Sequence, residues 1–236
     1  MTDCILLLDI GNTRAKAALW QAGTLSGPFD FPASLPAVPS RVLFASVASD
    51  ERLQQLKAET ALEAVPWHQV CSGAEKNGLR SAYAKPETLG VDRWLAMLGA
   101  RARLPATELL VVDAGTALTI DYLDATGQHL GGWIVPGIRL QQKAVTNYTA
   151  RVFNRDEESY SLQFATDTAG CLQNGVFAAI LAVIRQAKWQ APQAKLLITG
   201  GDAPLLLPFL ADLMPETDAL LVFRGMSQFI EKQPIC

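Results

Sequence analysis

Leu6-Leu7-Leu8-Asp9-Ile10-Gly11-Asn12-Thr13-Arg14-Ala15-Lys16-Ala17-Ala18-Leu19 is the stretch on which the fold turns. An apolar run meets a tight Gly11-Asn12 turn and then resumes with partial alternation. That pattern predicts a strand, a turn and a second strand. Asp9 closes the first strand. Gly11 lets backbone approach a ligand, and the N–H groups of such a turn can point at an anion. Asp9 can hold a cation or a water beside that anion.

The pattern returns as Leu110-Val111-Val112-Asp113-Ala114-Gly115-Thr116-Ala117-Leu118-Thr119-Ile120-Asp121. A lone Asp-x-Gly turn says little, because Asp and Gly are ordinary turn residues. Two copies, each between apolar strands, predict two similar halves, 1–105 and 106–236, facing each other. A phosphate chain gripped from both sides is the natural ligand.

Composition narrows the class. The 236 residues are half hydrophobic, 18% charged and carry a net charge of −3. The charged fraction lies below the usual ~25%. No Lys/Arg block occurs, so a nucleic-acid surface, with its basic stripe, is not expected. Cys4, Cys71, Cys171 and Cys236 are scattered without a CxxC pair, and His68 and His129 are the only histidines. No zinc-ligand spacing results, and reduced thiols are expected. Met1 and Asp3 lead directly into a short apolar strand without a basic segment, so no signal peptide is expected. No uninterrupted apolar run reaches the ~18 residues of a membrane span. A cytoplasmic protein binding small molecules is the expectation.

After the first hairpin, Gly23, Gly27, Pro28, Pro32, Pro36 and Pro39 read as irregular connections. Arg41–Val47 reads as a buried strand, Asp50–Ala64 as a helix capped by Asp50, and Trp67–Cys71 as a short strand. Tyr83–Gly90 is a loop punctuated by Pro86 and Gly90, leading into a helix from Val91. Asp92 and Arg93 fall in its first turn. Acids suit helix starts; Arg93 does not unless an anion is near, and a helix N-terminus with an added Arg suits a phosphate or carboxylate.

In the second half, the Leu109–Tyr122 hairpin is followed by Gly131-Gly132-Trp133-Ile134-Val135-Pro136-Gly137. That run predicts a third strand whose ends approach a ligand or another backbone. A helix over Ile138–Val145 comes next. Thr166-Asp167-Thr168-Ala169 caps a long apolar helix reaching toward Ala187. Its apolar residues, Val176, Phe177, Ala179, Ile180, Leu181, Val183 and Ile184, spread wider than the ~100° stripe one core needs. The excess predicts burial against the same helix of a second copy. Lys195–Thr199 is a strand ending in Gly200-Gly201-Asp202, with a helix over Ala203–Leu213 and a strand-to-helix element over Ala219–Glu231. Alternation of this kind means α/β architecture, with helices covering mixed sheets.

Taken in order, five motifs make the chain resemble the type III pantothenate kinases of the acetate and sugar kinase/Hsp70/actin superfamily. They are Asp9-Ile10-Gly11-Asn12-Thr13; Tyr83 with Leu89-Gly90-Val91-Asp92-Arg93; Val112-Asp113-Ala114-Gly115-Thr116-Ala117; Gly131 to Gly137; and Thr199-Gly200-Gly201-Asp202-Ala203. The Gly-x-Asp-Arg and Gly-Gly-x-Ile-x-Pro-Gly elements are the specific ones. The resemblance implies a duplicated ribonuclease H-like, actin-like ATPase fold. It also implies transfer of the ATP γ-phosphoryl to pantothenate, the first step of coenzyme A synthesis, by a homodimer using Mg²⁺ and K⁺ or NH₄⁺.

By that resemblance, Asp9, Gly11, Asn12, Thr13, Gly115 and Thr116 bind ATP phosphates, with Lys16 a strand position that could reach one. Asp9 positions Mg²⁺ and Asp113 holds the monovalent cation. Asp92 is the base. Tyr83, Gly90, Val91, Asp92 and Arg93 line the pantothenate pocket, joined by Thr168 from the other subunit. Asp167, preceding Thr168, departs from the Asn expected there. The family also contains Bvg accessory factors taken to influence transcription, so a nucleotide-binding regulator with weak catalysis is the rival expectation. Phosphoryl transfer needs positioning, charge neutralisation and a proton acceptor, and these residue types supply them.

Overall fold

Strand order repeats within the chain. The first sheet is built from β1 (Cys4–Ile10), β2 (Ala15–Gln21), β3 (Thr24–Phe31), β4 (Arg41–Ser46) and β5 (Trp67–Gln69), in the order β3-β2-β1-β4-β5. The second uses β8 (Leu109–Ala114), β9 (Ala117–Leu123), β10 (His129–Pro136), β11 (Lys195–Thr199) and β12 (Glu216–Thr217), in the order β10-β9-β8-β11-β12. A small hairpin, β6 (Glu75–Lys76) with β7 (Leu79–Arg80), completes the strands. The computed structural model describes residues 4–32, 35, 38–60, 62–155 and 159–231. Met1, Asp3, Pro36 and Cys236, named above, lie outside them.

The Leu-rich runs became central strands because both their faces are covered. All residues of β1 except Asp9, and of β8 except Asp113, are buried. β1 pairs antiparallel with β2 and parallel with β4, and β8 pairs parallel with β11. In each sheet the acidic exception therefore sits at the carboxyl end of the central strand, where open α/β sheets bind ligands.

The helices are α1 (Asp50–Ala58), α2 (Val91–Arg103), α3 (Ile138–Tyr148), α4 (Thr168–Gln190), α5 (Ala203–Leu206) and α6 (Leu221–Ser227). The chain forms two compact units, one of residues 1–108, 123–131 and 218–236, the other of 109–122 and 132–217. They are not the contiguous stretches 1–105 and 106–236. The C-terminal segment belongs to the first unit because α6 packs on α2. There the buried Asp218 carboxylate accepts from Arg224 Nε at 2.5 Å and the Leu220 N–H at 2.9 Å, with Arg103 Nη1 at 3.3 Å. In the second unit, α4 packs against α3 and β8. Its Phe177, fully buried, stacks on Tyr160 and meets Phe209 edge-on.

Several local expectations need correction. The stretch expected to be irregular after the first hairpin contains β3; Pro28 fits there because β3 is an edge strand and its pairing with β2 shifts register between Ser26 and Phe29. α1 stops at Ala58 rather than Ala64, and its cap is Ser49 rather than Asp50. Just past its end, the Thr60 hydroxyl bonds the Lys57 carbonyl, competing with further helix. The helix expected over 203–213 is one α-turn followed by two short 3₁₀ turns, since Pro208 offers no N–H. Cys4 and Cys171 are free thiols, but Cys71 is disulfide-bonded, a pairing that scattered cysteines do not signal in sequence.

α4 also corrects a reading. Val176, Phe177, Ile180, Leu181 and Ile184 are buried in their own unit's core, so most of the broad apolar face is used internally. Of the seven residues that suggested a second copy, Ala179 is exposed and Val183 half-buried. By length and composition α4 could cross a membrane, with a mean hydropathy of 1.4 and half of that window buried within the chain. Core packing accounts for that hydropathy.

Candidate active site

Asp113, next to last in β8, lies beside Thr199 of β11. Gly200 follows with φ +96°, a left-handed conformation that favours glycine. A Cβ there would stand 2.4 Å from the Ala114 carbonyl oxygen and 2.5 Å from Asp113 Oδ1. The Asp202 N–H donates to the Ala114 carbonyl at 2.9 Å, locking the two loops together. Gly137 completes the arrangement. Its N–H donates to the Thr116 carbonyl at 2.9 Å, and a Cβ on it would meet the Gly115 oxygen at 2.2 Å. Three motifs distant in sequence thus converge within the second unit.

The product of this convergence is a polar cradle. Gly115 is closed into its turn by donating to the Ala117 carbonyl at 3.1 Å, and Thr116 is exposed. Gly137 is the N-cap of α3, so the start of an 11-residue helix lies against the turn. Helix starts and turn N–H groups both favour anions. The Asp113 carboxylate with backbone carbonyls nearby is an oxygen donor set, which fits K⁺ or another hard cation. Arg139, missed in the sequence reading although it follows Pro136-Gly137 closely, pairs with the buried Asp202 at 2.7 Å.

In the first unit, Asp9 is half-buried, paired across the sheet with Lys16 on β2 and Ala45 on β4. The Gly11 N–H donates to the Arg14 carbonyl at 3.0 Å, closing a turn in which Asn12 and Thr13 are exposed. Lys16 is half-buried on its strand. Among the described residues no group of three or more His, Cys, Asp or Glu forms a metal cluster. Asp9 and Asp113 each offer a carboxylate beside a phosphate-type turn, which suits ions that keep phosphate or water ligands.

The second cluster of this unit surrounds the start of α2. Gly90, without a side-chain cap, is the N-cap, and Val91 is buried. Asp92 Oδ1 accepts the Arg93 backbone N–H at 2.8 Å. Among the described residues this is its one hydrogen bond, which leaves carboxylate lone pairs for a substrate hydroxyl. Arg93, only 5% exposed, turns inward and donates through Nη1 to the Tyr83 hydroxyl at 3.0 Å. A buried guanidinium is costly unless its donors are used. His129 lies against the same ring, 6.1 Å between centroids and 13° from parallel. Sequence reading considered it only as a zinc ligand; its place just before Gly131-Gly132 was the available signal.

Thr168 is exposed at the start of α4, in the second unit, and the Tyr83–Asp92–Arg93 cluster does not include it. Asp167 is the helix cap, accepting the Gly170 N–H at 2.9 Å and pairing with Arg155 at 2.6 Å. The Gly170 bond first, then Arg155, hold its carboxyl below the usual range. An open cleft of about 690 Å³ lies here, lined by Val145, Val152, Thr166, Thr168, Cys171 and Leu172 among others.

Residues 30–188 match the sequence profile of the type III pantothenate kinases. The chain belongs to the type III pantothenate kinase family. It is 35% identical to the type III pantothenate kinase of Colwellia psychrerythraea, with 96% of this chain and 95% of that protein covered. A Baf family protein of Campylobacter jejuni, described as a transcriptional activator, has a crystal structure similar at a TM-score of 0.65 and 29% identity, covering 97% of this chain and 98% of that one. The ADPNP-bound activator of 2-hydroxyisocaproyl-CoA dehydratase from Clostridium difficile is similar at a TM-score of 0.51 and 12% identity, over 97% and 94% of the two chains. That last likeness concerns the fold alone, which is the duplicated actin-like ATPase fold. As a type III pantothenate kinase family member the chain is a phosphotransferase that uses ATP.

Proposed function

We propose that the chain transfers the γ-phosphoryl group of ATP to the primary hydroxyl of pantothenate, giving 4'-phosphopantothenate and ADP. The observation that carries this is the Asp92 carboxylate, half-buried and singly hydrogen-bonded, on the same helix turn as an inward-turned Arg93 tied to Tyr83. Asp92 orients the hydroxyl and accepts its proton as the oxygen attacks the γ-phosphorus. The bond from that phosphorus to the β,γ-bridging oxygen breaks, and ADP leaves with the electron pair. Tyr83, Gly90, Val91 and Arg93 line the pantothenate pocket, with the Arg93 charge matching the carboxylate of pantothenate.

The turns at Asp9–Thr13 and Gly115–Thr116, whose Gly11 and Gly115 N–H groups close the turns themselves, bind phosphate oxygens at the exposed Asn12, Thr13 and Thr116, Lys16 adding charge at the first. When bound, Mg²⁺ neutralises phosphate charge, and Asp9 is the residue that positions it. Asp113 holds K⁺ or NH₄⁺, which removes the repulsion between its carboxylate and the nucleotide. The working form is a homodimer in which Thr168 of the partner subunit reaches the pantothenate pocket. Support for a dimer comes from apolar residues left uncovered near the Thr168 cleft: Tyr148 at 90%, Phe153 at 60% and Phe164 at 105% exposure. The reaction, consuming ATP, belongs to the cytoplasm, and neither membrane nor nucleic acid takes part in it.

The second reading is a Baf-type regulator that binds nucleotide with weak catalysis, favoured by the Campylobacter jejuni likeness. Coupled turnover with pantothenate, with sugars and with acetate separates the readings. Turnover of pantothenate alone is expected; no turnover of any of the three, with ATP binding intact, supports the regulator.

A further inference from the structure

We propose that His129 is the positioning residue of the substrate loop: its imidazole holds Tyr83, and through Tyr83 the Arg93 guanidinium, in the geometry that receives pantothenate. The inference rests on the kinase reading above.

His129 is 1% exposed at the first position of β10. Burying an imidazole costs free energy unless its nitrogens find partners. Nδ1 accepts the Ala82 backbone N–H in a long bond of 3.5 Å. One residue on, the Tyr83 ring lies nearly parallel to the imidazole. The Tyr83 hydroxyl in turn accepts from Arg93, whose guanidinium carbon stands 5.8 Å from the Tyr83 ring centre. A chain of contacts therefore runs from His129 to the loop backbone, to the Tyr83 ring, and to the charge that meets the substrate.

The support behind His129 is stiff, as a positioning residue requires. In the turn before β10, Asp124 Oδ1 accepts from the Thr126 N–H at 2.8 Å, the Thr126 hydroxyl at 2.7 Å and the Gln128 N–H at 2.9 Å. The Thr126 hydroxyl first, with the backbone N–H groups, holds the Asp124 carboxyl below its usual range. Arg80 ties this turn to the strand leading into the loop. Its N–H donates to the Gly127 carbonyl at 3.0 Å, and its side chain reaches Gln128 Oε1 and Thr126 Oγ1, both at 3.2 Å. Ser81 Oγ accepts the Tyr83 N–H at 3.1 Å, fixing the loop's next step. A histidine that merely filled core would need neither the flat contact with Tyr83 nor so rigid a mount.

The test is steady-state kinetics of the full-length enzyme with three variants. His129→Asn keeps an acceptor near Nδ1 and loses the ring. His129→Phe keeps the ring and loses the acceptor. Tyr83→Ala removes the ring that His129 holds. A ring contact and a hydrogen bond of this kind correspond to roughly a tenfold change. His129→Asn is expected to raise the pantothenate KM about tenfold, leaving the ATP KM and kcat within about twofold. His129→Phe is expected to return the pantothenate KM to within about threefold of the parent, since the stacking survives. Combined with Tyr83→Ala, His129→Asn should add almost nothing, because the two act as one unit.

Multiplicative effects in the double variant overturn the proposal, as does an equal rise in both KM values, or a Phe variant no better than Asn. If His129→Asn does not fold, His129→Gln replaces it in the same cycle, with the same expectations. A parent enzyme that turns over pantothenate while the His129 variants behave like it removes only the role of His129. A parent that does not phosphorylate pantothenate removes the kinase reading, and this inference with it.

Discussion

A Cβ atom on Gly90 would stand 2.6 Å from Asp92 Oδ1, closer than real side chains pack. Gly90 is half-buried with ordinary backbone angles, φ −52° and ψ 129°, so alanine strains nothing in the main chain. The carboxylate must move instead. Gly90→Ala should fold with a melting temperature near the parent's but lose kcat by roughly 10- to 100-fold, the effect of misplacing a reacting group by about 1 Å. Unchanged kcat would mean that the Asp92 position in the free protein is not the working one.

Asp92→Asn separates proton transfer from positioning. The amide oxygen can still accept the Arg93 N–H, and the helix is capped at Gly90 rather than Asp92. The variant should fold, bind ATP in calorimetry, and lose pantothenate phosphorylation by at least ~10²-fold. Near-full turnover would send the search for the base elsewhere, to Asp9 first.

Turnover should depend on the monovalent cation. The half-buried Asp113 carboxylate sits against the Gly200 backbone and the turn at Gly115, where its negative charge together with that of a nucleotide favours a bound cation. Rates in K⁺ or NH₄⁺ should exceed those in Na⁺ by about tenfold, equivalent to ~1.4 kcal/mol of barrier. Asp113→Asn should shrink that ratio toward one. Equal rates of the parent in all three salts would remove the cation from Asp113.

Gly99 carries a stability prediction independent of catalysis. It lies mid-way along α2, and a Cβ there would come within 2.0 Å of the Leu221 carbonyl oxygen on α6. Backbone meets backbone, so no side chain can yield. Gly99→Ala should destabilise the protein by at least ~1–3 kcal/mol, read from urea unfolding, despite alanine's better helix propensity. A variant as stable as the parent would mean that α6 shifts freely on α2.

A homodimer should be visible in sedimentation at micromolar protein. Phe164 is fully exposed in the protomer, so Phe164→Ser removes apolar surface without opening a core. It should weaken association by more than ~1 kcal/mol while thermal unfolding at low concentration stays unchanged. A parent that sediments only as monomer would overturn the dimer and the contribution of Thr168 across it.

Much of this was written locally. The runs Leu6–Ile10 and Leu110–Ala114, each with an acid two residues before a glycine, determined the central strands. The duplication followed because burial on both faces of a central strand needs an unbroken apolar run. The cap at Asp167, the start of α2 at Val91 and the hairpin at Asp113–Ala117 depend on neighbours within a few residues, and were legible for that reason. The fold class and the family followed from the order of five such motifs.

Only the tertiary structure decided the rest, because it depends on contacts between residues far apart in the chain. Pro28 reads as a break until β3 is known to be a sheet edge whose pairing with β2 shifts register beside it. The apolar face of α4 looks too wide until its own core is seen to cover Val176, Phe177, Ile180, Leu181 and Ile184. The return of α6 to the first unit is set by Gly99 and by Asp218 with its two arginines, contacts that no local pattern announces. The inward turn of Arg93, the seat of His129 against Tyr83, and the convergence of Gly137 and Gly200 on the Asp113 turn all arise the same way. Each is a short-range steric or hydrogen-bonding fact between groups that the backbone path alone brings together.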